Sequence, residues 1–143
     1  YHIEYNVYVN EQPKRLPLDH VSTLKNAFVF WENAKLTMSD GKPAIVKFYQ
    51  VDIKSDANIW VTWVMRNLGD GVLGHANLGK GVVEVALGGY GCDGTTQLFT
   101  IETVETIMKH ELGHSLGFEH SVERNNIMYP SIKQANYAYC LLS

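Results

Sequence analysis

The order of signals along this 143-residue chain predicts an α+β domain. The expected form is a twisted mixed sheet of about five strands, with an N-terminal helix and a second helix late in the chain packed on one face. Three observations predict it. The chain opens with a strict alternation of apolar and polar residues. A segment with helical spacing follows, then a run of short segments rich in β-branched and aromatic residues. Last comes a helical segment that leads into HELGHSLGFEH, residues 110–120.

In HIEYNVYV (2–9), Ile3, Tyr5, Val7 and Val9 fall on one face and His2, Glu4, Asn6 and Tyr8 on the other, the pattern of a half-buried strand. EQPKRLP (11–17) is a polar connection broken by proline. From Leu18 to about Leu36, Val21, Leu24, Ala27, Phe28 and Trp31 recur at helical spacing, with Asp19 placed to cap the helix. Asp40-Gly41 marks a turn. AIVKFYQV (44–51), ANIWVTWVM (57–65) and VVEVAL (82–87) read as strands. Between the last two, Asn67 to Gly71 is a turn and GVLGHANL (71–78) is a strand interrupted by glycine, which suits a sheet edge. GGYGCDGTT (88–96) reads as a long glycine-rich loop. Thr100 caps the next helix, with Glu102 and Glu105 near its positive end, and Gly117 should stop it. The rest reads as irregular, with a short helical turn near the end.

Composition narrows the function classes. A chain that is 45% apolar and 19% charged is globular, and its length suits one domain with its own core. A net charge of −3 gives no electrostatic footprint for nucleic acid. No apolar run approaches the roughly 20 residues of a membrane helix. The chain starts at Tyr1 without a signal-like segment, as expected of a mature form or an excised domain. Cys92 and Cys140 are far apart, and either one long-range disulfide or two buried thiols fits them. A disulfide would imply an oxidising, extracellular setting.

His110 and His114 are four residues apart, so on a helix they project from one face, one turn apart, and can share a metal ion. Glu111, beside the first of them, is placed to act on water at the metal rather than on the metal. Gly117 can take a left-handed conformation and end the helix sharply, so that His120 swings back to the same ion. Three neutral imidazoles with an open fourth position are the donor set of catalytic zinc. A zinc-bound water with Glu111 as general base would then hydrolyse peptide bonds. A purely structural metal domain would need a fourth protein ligand, and the stretch offers none. The other reading is a non-catalytic zinc-binding module that recognises peptides.

HELGHSLGFEH followed by NNIMYPSI resembles the metzincin zinc endopeptidases, including their downstream Met-turn. Ser121 directly after the third histidine, and Met128-Tyr129-Pro130, are similar to the matrixin branch, and the similarity extends over most of the chain. The resemblance implies one catalytic Zn²⁺ held by His110, His114 and His120, Glu111 as catalytic base, and Met128 as an apolar floor beneath the imidazoles. It implies one catalytic domain, 1–143. Residues 1–117 would form an upper part with the sheet and both helices, and 118–143 a short lower part. It also implies an extended polypeptide substrate lying antiparallel to an edge strand at Leu73, Gly74, His75 and Ala76. The pocket beside the zinc would be bounded by Thr106, Pro130, Ser131 and Ile132.

In animal matrixins the histidine matching His75 shares a second, structural zinc with two further histidines. Only His2 and His20 remain here, both far upstream, so no structural zinc is expected. The family's calcium loops are poorly matched, so nothing in the sequence supports a calcium site. Thirteen residues after Pro130 leave the family's C-terminal helix reduced or absent, and Cys140 could tie this tail to the loop at Cys92. The implied protein is a secreted or cell-surface monomer acting on polypeptides.

Overall fold

Alternating residues build the first strand, β1 (His2–Val9), with Val7 fully buried on the inner face. Its neighbours come from later in the chain. The computed structural model of the protein describes residues 1–143 except 15, 17, 66–73, 77–80, 92–94, 131–135 and 141–143, with the backbone alone at 74–76, 90–91, 95 and 139. The elements in chain order are β1, α1 (Val21–Glu32), β2 (Leu36–Thr37), β3 (Pro43–Gln50), β4 (Ile59–Val64) and β5 (Gly74–Ala76). They continue with β6 (Val82–Ala86), β7 (Gly88–Gly91), β8 (Thr95–Phe99), α2 (Ile101–Ser115) and β9 (Tyr137–Cys140). A single 3-10 turn, Lys54–Asp56, precedes β4.

The main sheet has the order β2-β3-β1-β4-β6-β5. β3, β1, β4 and β6 are parallel, and β2 and β5 run antiparallel at the two edges. The mixed α+β architecture is the one the sequence predicts. α1 packs on β3 and on α2, and α2 packs on β6 and β5. The core lies between: Leu24, Ala27 and Trp31 of α1 meet Val46, Phe48, Ile59, Val61, Val83 and Val85 of the sheet and Val104, Ile107, Met108 and Leu112 of α2. Each fully buried Val, Leu, Ile, Phe or Met side chain among these contributes about 1.5–3 kcal/mol of hydrophobic stabilisation before the entropy of ordering it is subtracted. The consequence for the site is that α2 is held between α1 and the sheet.

The structure corrects four local expectations. α1 runs over 21–32 rather than 18–36, because Leu36 and Thr37 pair with Ala44 and Pro43 in the sheet. Its N-cap position is His20, which makes no side-chain cap; Asp19 instead accepts the Val21 amide two residues on, at 3.0 Å. The glycine-rich stretch from Gly88 is not a loop but the start of a hairpin, with Gly88–Gly91 antiparallel to Thr95–Leu98. The tail is not irregular: Tyr137–Cys140 pairs with β8 to complete a second sheet, β7-β8-β9. Gly88 explains part of the hairpin. A Cβ there would stand 2.5 Å from the Gln97 carbonyl oxygen, so glycine allows the two backbones to approach.

Other expectations hold. Gly41 has φ +82° in the turn after β2, and its amide donates to the Met38 carbonyl at 2.9 Å. The short β5, at the sheet edge, carries Gly74, His75 and Ala76 opposite Val85, Glu84 and Val83. The expected turn over 67–71 and the remainder of the 71–78 strand lie outside the described residues.

Candidate active site

α2 is fixed at its start by Thr100, whose hydroxyl accepts the Thr103 amide at 3.3 Å, and Glu102 lies in its first turn. Its far end closes in a Schellman motif. The Gly117 amide donates to the His114 carbonyl at 2.9 Å and the Phe118 amide to the Gly113 carbonyl at 3.0 Å. Gly117 has φ +104°, a conformation open to glycine and strained for other residues. This sharp stop turns the chain so that His120 comes back toward His110 and His114.

The metal-binding atoms of these three histidines all lie within 4.8 Å of one another. His114 Nε2 is 3.2 Å from His110 Nε2 and 3.2 Å from His120 Nε2. The first of these, between His110 and His114, is not a hydrogen bond. His110 Nδ1 lies 2.7 Å from the Ile127 carbonyl and His114 Nδ1 lies 2.8 Å from the Phe118 carbonyl. A carbonyl only accepts, so each Nδ1 carries the ring's proton and each Nε2 presents a lone pair. Burial, opposed by the Ile127 contact and joined by the neighbouring imidazoles, holds the His110 pKa below its usual value. Two such lone pairs facing each other at this distance, with His120 beside them, form a cluster that could hold a metal ion. Zn–N bonds of about 2.0–2.1 Å in a tetrahedron place their nitrogens about 3.3–3.4 Å apart, so these residues fit zinc. The carbonyls on Nδ1 are the outer contacts that fix tautomer and ring direction in metal sites.

Glu111 follows His110 on the helix. It is only 6% exposed, and burial alone pushes its pKa up to about 7. A carboxyl poised near neutrality can both take up and release a proton under ordinary conditions.

Met128 is buried, 4% exposed. The Met128 carbonyl accepts the Ser121 amide at 2.8 Å, which joins the turn around Met128 to the residue after His120. Met128 Sδ packs against Gly113, where a Cβ would collide with it and would also stand 2.7 Å from Trp31 Cζ2. Gly113, Trp31 and the two carbonyls at Ile127 and Phe118 are functional features the sequence reading passes over. The carbonyls carry no sequence signal. The glycine inside an otherwise regular helix is a readable hint of close packing.

The remaining expected site residues are more dispersed. Thr106, one turn before His110, is part-exposed, and its hydroxyl donates to the Glu102 carbonyl at 3.1 Å. Pro130 is exposed, two residues after Met128. β5 supplies Gly74, His75 and Ala76 at the sheet edge next to α2. Leu73, Ser131, Ile132 and Cys92 lie outside the described residues, whereas Cys140 ends β9 opposite Gln97.

No curated protein matches the chain. A family model for matrixin matches residues 1–142, nearly the whole chain. With His110, His114 and His120 grouped closely enough to hold a metal ion and a mixed sheet bounded by antiparallel edge strands, the chain belongs to the matrixin family, a family of zinc-dependent peptidases.

Proposed function

We propose that this matrixin is an endopeptidase whose catalytic zinc is held by His110, His114 and His120 and whose general base is Glu111. The observation that carries the reading is the convergence of three imidazoles, with His114 Nε2 3.2 Å from the Nε2 atoms of both His110 and His120 and with the His110 and His114 rings locked by backbone carbonyls. Zinc, when bound, supplies a Lewis acid and lowers the pKa of water toward about 7. The chain's own part is the handling of protons and the placing of substrate. Glu111 takes the proton from the attacking water and passes it to the leaving amine. Its low exposure suits both steps, because a desolvated carboxylate is a stronger base than a solvated one. Met128 is the apolar floor that packs the imidazoles from below.

The substrate is an extended polypeptide. β5 is an edge strand antiparallel to β6, so a peptide at Leu73, Gly74, His75 and Ala76 can add a further strand through main-chain hydrogen bonds. The side chain after the scissile bond enters a pocket bounded by Thr106 on the helix and by Pro130, Ser131 and Ile132. Residues 1–117 form the part above the cleft and 118–143 the part below it, in one catalytic domain acting as a monomer. Among the described residues no helix is long and apolar enough to cross a membrane. An extracellular setting agrees with the family and with a Cys92–Cys140 disulfide. Cys140 sits on the strand paired with β8, Cys92 falls in sequence between β7 and β8, and no described cysteine is free. Closing a loop of about 48 residues would stabilise the fold by roughly 4 kcal/mol in the chain-entropy model. Intact mass after alkylation without reductant tests the link: two alkyl groups on protein purified under air would remove it.

Glu111→Ala tests the mechanism. The variant should keep one equivalent of zinc and lose peptide hydrolysis by about 10²–10⁴-fold, the usual contribution of a general base. Cleavage at the parent rate would overturn the role of Glu111. A parent protein that binds zinc and peptides and cleaves none would instead be a recognition module.

A further inference from the structure

α1 touches α2 at the turn that carries the first zinc ligand, and the contact is unusually specific. Asn26 donates to Glu105 at 2.6 Å, and Glu105 pairs with Lys109 at 3.1 Å. Lys109 Nζ lies over the Phe30 ring, 5.0 Å from its centroid. Trp31 goes deeper. Its indole Nε1 donates to the Lys109 carbonyl at 2.8 Å, one residue before His110. Its ring edge fills the notch left by Gly113, which it shares with Met128. Its face stacks on Phe118, with centroids 5.4 Å apart and planes 12° apart.

Phe118 is the key to what this contact does. Its carbonyl accepts from His114 Nδ1, and its amide closes the helix onto Gly113. Two residues later the chain reaches His120. Any shift of Phe118 therefore turns the His114 ring and moves the segment that delivers the third ligand. Trp31 is 4% exposed and rigid, with only two rotatable side-chain bonds, so it holds Phe118 with little freedom.

We propose that Trp31 is a positioning residue of the zinc centre: by stacking on Phe118 and filling the Gly113 notch it fixes the His114 ring and the approach of His120. The inference rests on the zinc-ligand reading above. Core packing is the competing account of the same indole, and the two predict different things. A core residue affects the stability of the whole fold; a positioning residue also changes metal affinity and ligand geometry in molecules that remain folded.

The experiment compares the parent with Trp31→Leu, Trp31→Phe and Phe118→Ala. Zinc affinity is read by competition with a chromophoric chelator, and ligand geometry by the visible d–d bands of the cobalt-substituted protein, both on protein shown to be folded by circular dichroism. Loss of an outer contact typically weakens metal binding by about 10–100-fold. Trp31→Leu and Phe118→Ala should each weaken zinc binding by roughly tenfold or more and alter the cobalt bands. Trp31→Phe keeps a ring against Phe118 and should recover most of the loss. Phe118→Ala leaves the backbone carbonyl in place and removes only the stacking partner, so it decides the matter if Trp31→Leu does not fold. Parent affinity and parent cobalt bands in Phe118→Ala would overturn the proposal, whatever its melting temperature. A parent protein that takes up no zinc would overturn the ligand reading instead, and that result precedes any variant.

Discussion

The two helices of this protein are built to different standards. α1 begins at His20 with no side-chain cap and has no acidic residue in its first turn. It leaves Val21, Val29 and Phe30 exposed at 56%, 51% and 36%. α2 has a threonine cap and a glutamate at its start, a Schellman closure at its end, and a glycine cut into its last turn. Helix α1 needs only to cover the sheet and press on α2, and tertiary packing on one face is enough for that. Helix α2 must hold two imidazoles and a buried carboxyl in fixed directions, and every turn of it is specified by a particular contact. Substitutions in α2 should therefore cost more than equivalent ones in α1, and they should affect metal binding as well as stability.

The sharpest test of that contrast is Gly113→Ala. In an open helix the change would stabilise by about 1 kcal/mol, because alanine is the better helix former. Here the new Cβ meets Met128 Sδ and the rigid Trp31 ring. Overpacking of this kind costs about 1–3 kcal/mol, so the net effect should be destabilising, with weaker zinc binding as Met128 and Trp31 are pushed away. Val29→Ala on the exposed face of α1 should stay within about 0.5 kcal/mol of the parent. Urea unfolding of both variants with chelator present checks the pair; a more stable Gly113→Ala would mean the notch closes without strain.

Thr100→Ala is the next largest. Removing a threonine cap costs about 1 kcal/mol, within a range of roughly 0.5–2. The cap is also joined to the tail: the Thr100 amide donates to the Asn136 carbonyl at 2.8 Å, and the Asn136 amide donates to Thr103 Oγ1 at 3.0 Å. Hydrogen exchange should therefore speed up both in the first turn of α2 and in β9. Exchange confined to the helix would mean that β9 holds its place without the cap.

Much of this arrangement was legible in the residues, for physical reasons. β1, β3, β4 and β6 are half-buried strands, and half-burial writes a period of two into the sequence. The Thr100 cap and the Gly117 stop are chemical requirements of helix ends, so α2 was legible at both boundaries. The histidine spacing was legible because a metal needs side chains of one type on one helical face. What stayed hidden is carried by groups without side-chain identity. β7 is rich in glycine, which gives no periodicity, and it is held by register against β8 rather than by a propensity of its own. β9 has four residues and exists because β8 offers it an edge. The carbonyls of Ile127 and Phe118 that orient two of the ligands could belong to any residue. Trp31 was legible as core, yet its partners Lys109, Gly113 and Phe118 lie some eighty residues away, and no local pattern connects them.

The start of α1 offers the finest test of the comparison, through pH. His20 is 2% exposed, with its ring 5.7 Å from that of Trp63 and Nδ1 3.3 Å from Thr23 Oγ1. Burial lowers its pKa, and the nearby Asp19 carboxylate opposes the shift only in part. The unfolded chain titrates near the ordinary value of about 6.5. Below that pH the unfolded state takes up a proton that the folded state refuses, so stability falls. The contribution is whole above about pH 6.5 and is lost as pH drops through the lowered folded value. His20→Gln removes this titration along with some packing. The stability gap between parent and variant, measured by urea unfolding with chelator present, should therefore narrow between pH 7.5 and pH 5.5. Titrating groups common to both proteins cancel from the difference. A gap that does not change with pH would mean that His20 takes up its proton as readily inside the fold as outside it. The weakly specified start of α1 would then be no more sensitive to acid than the capped start of α2.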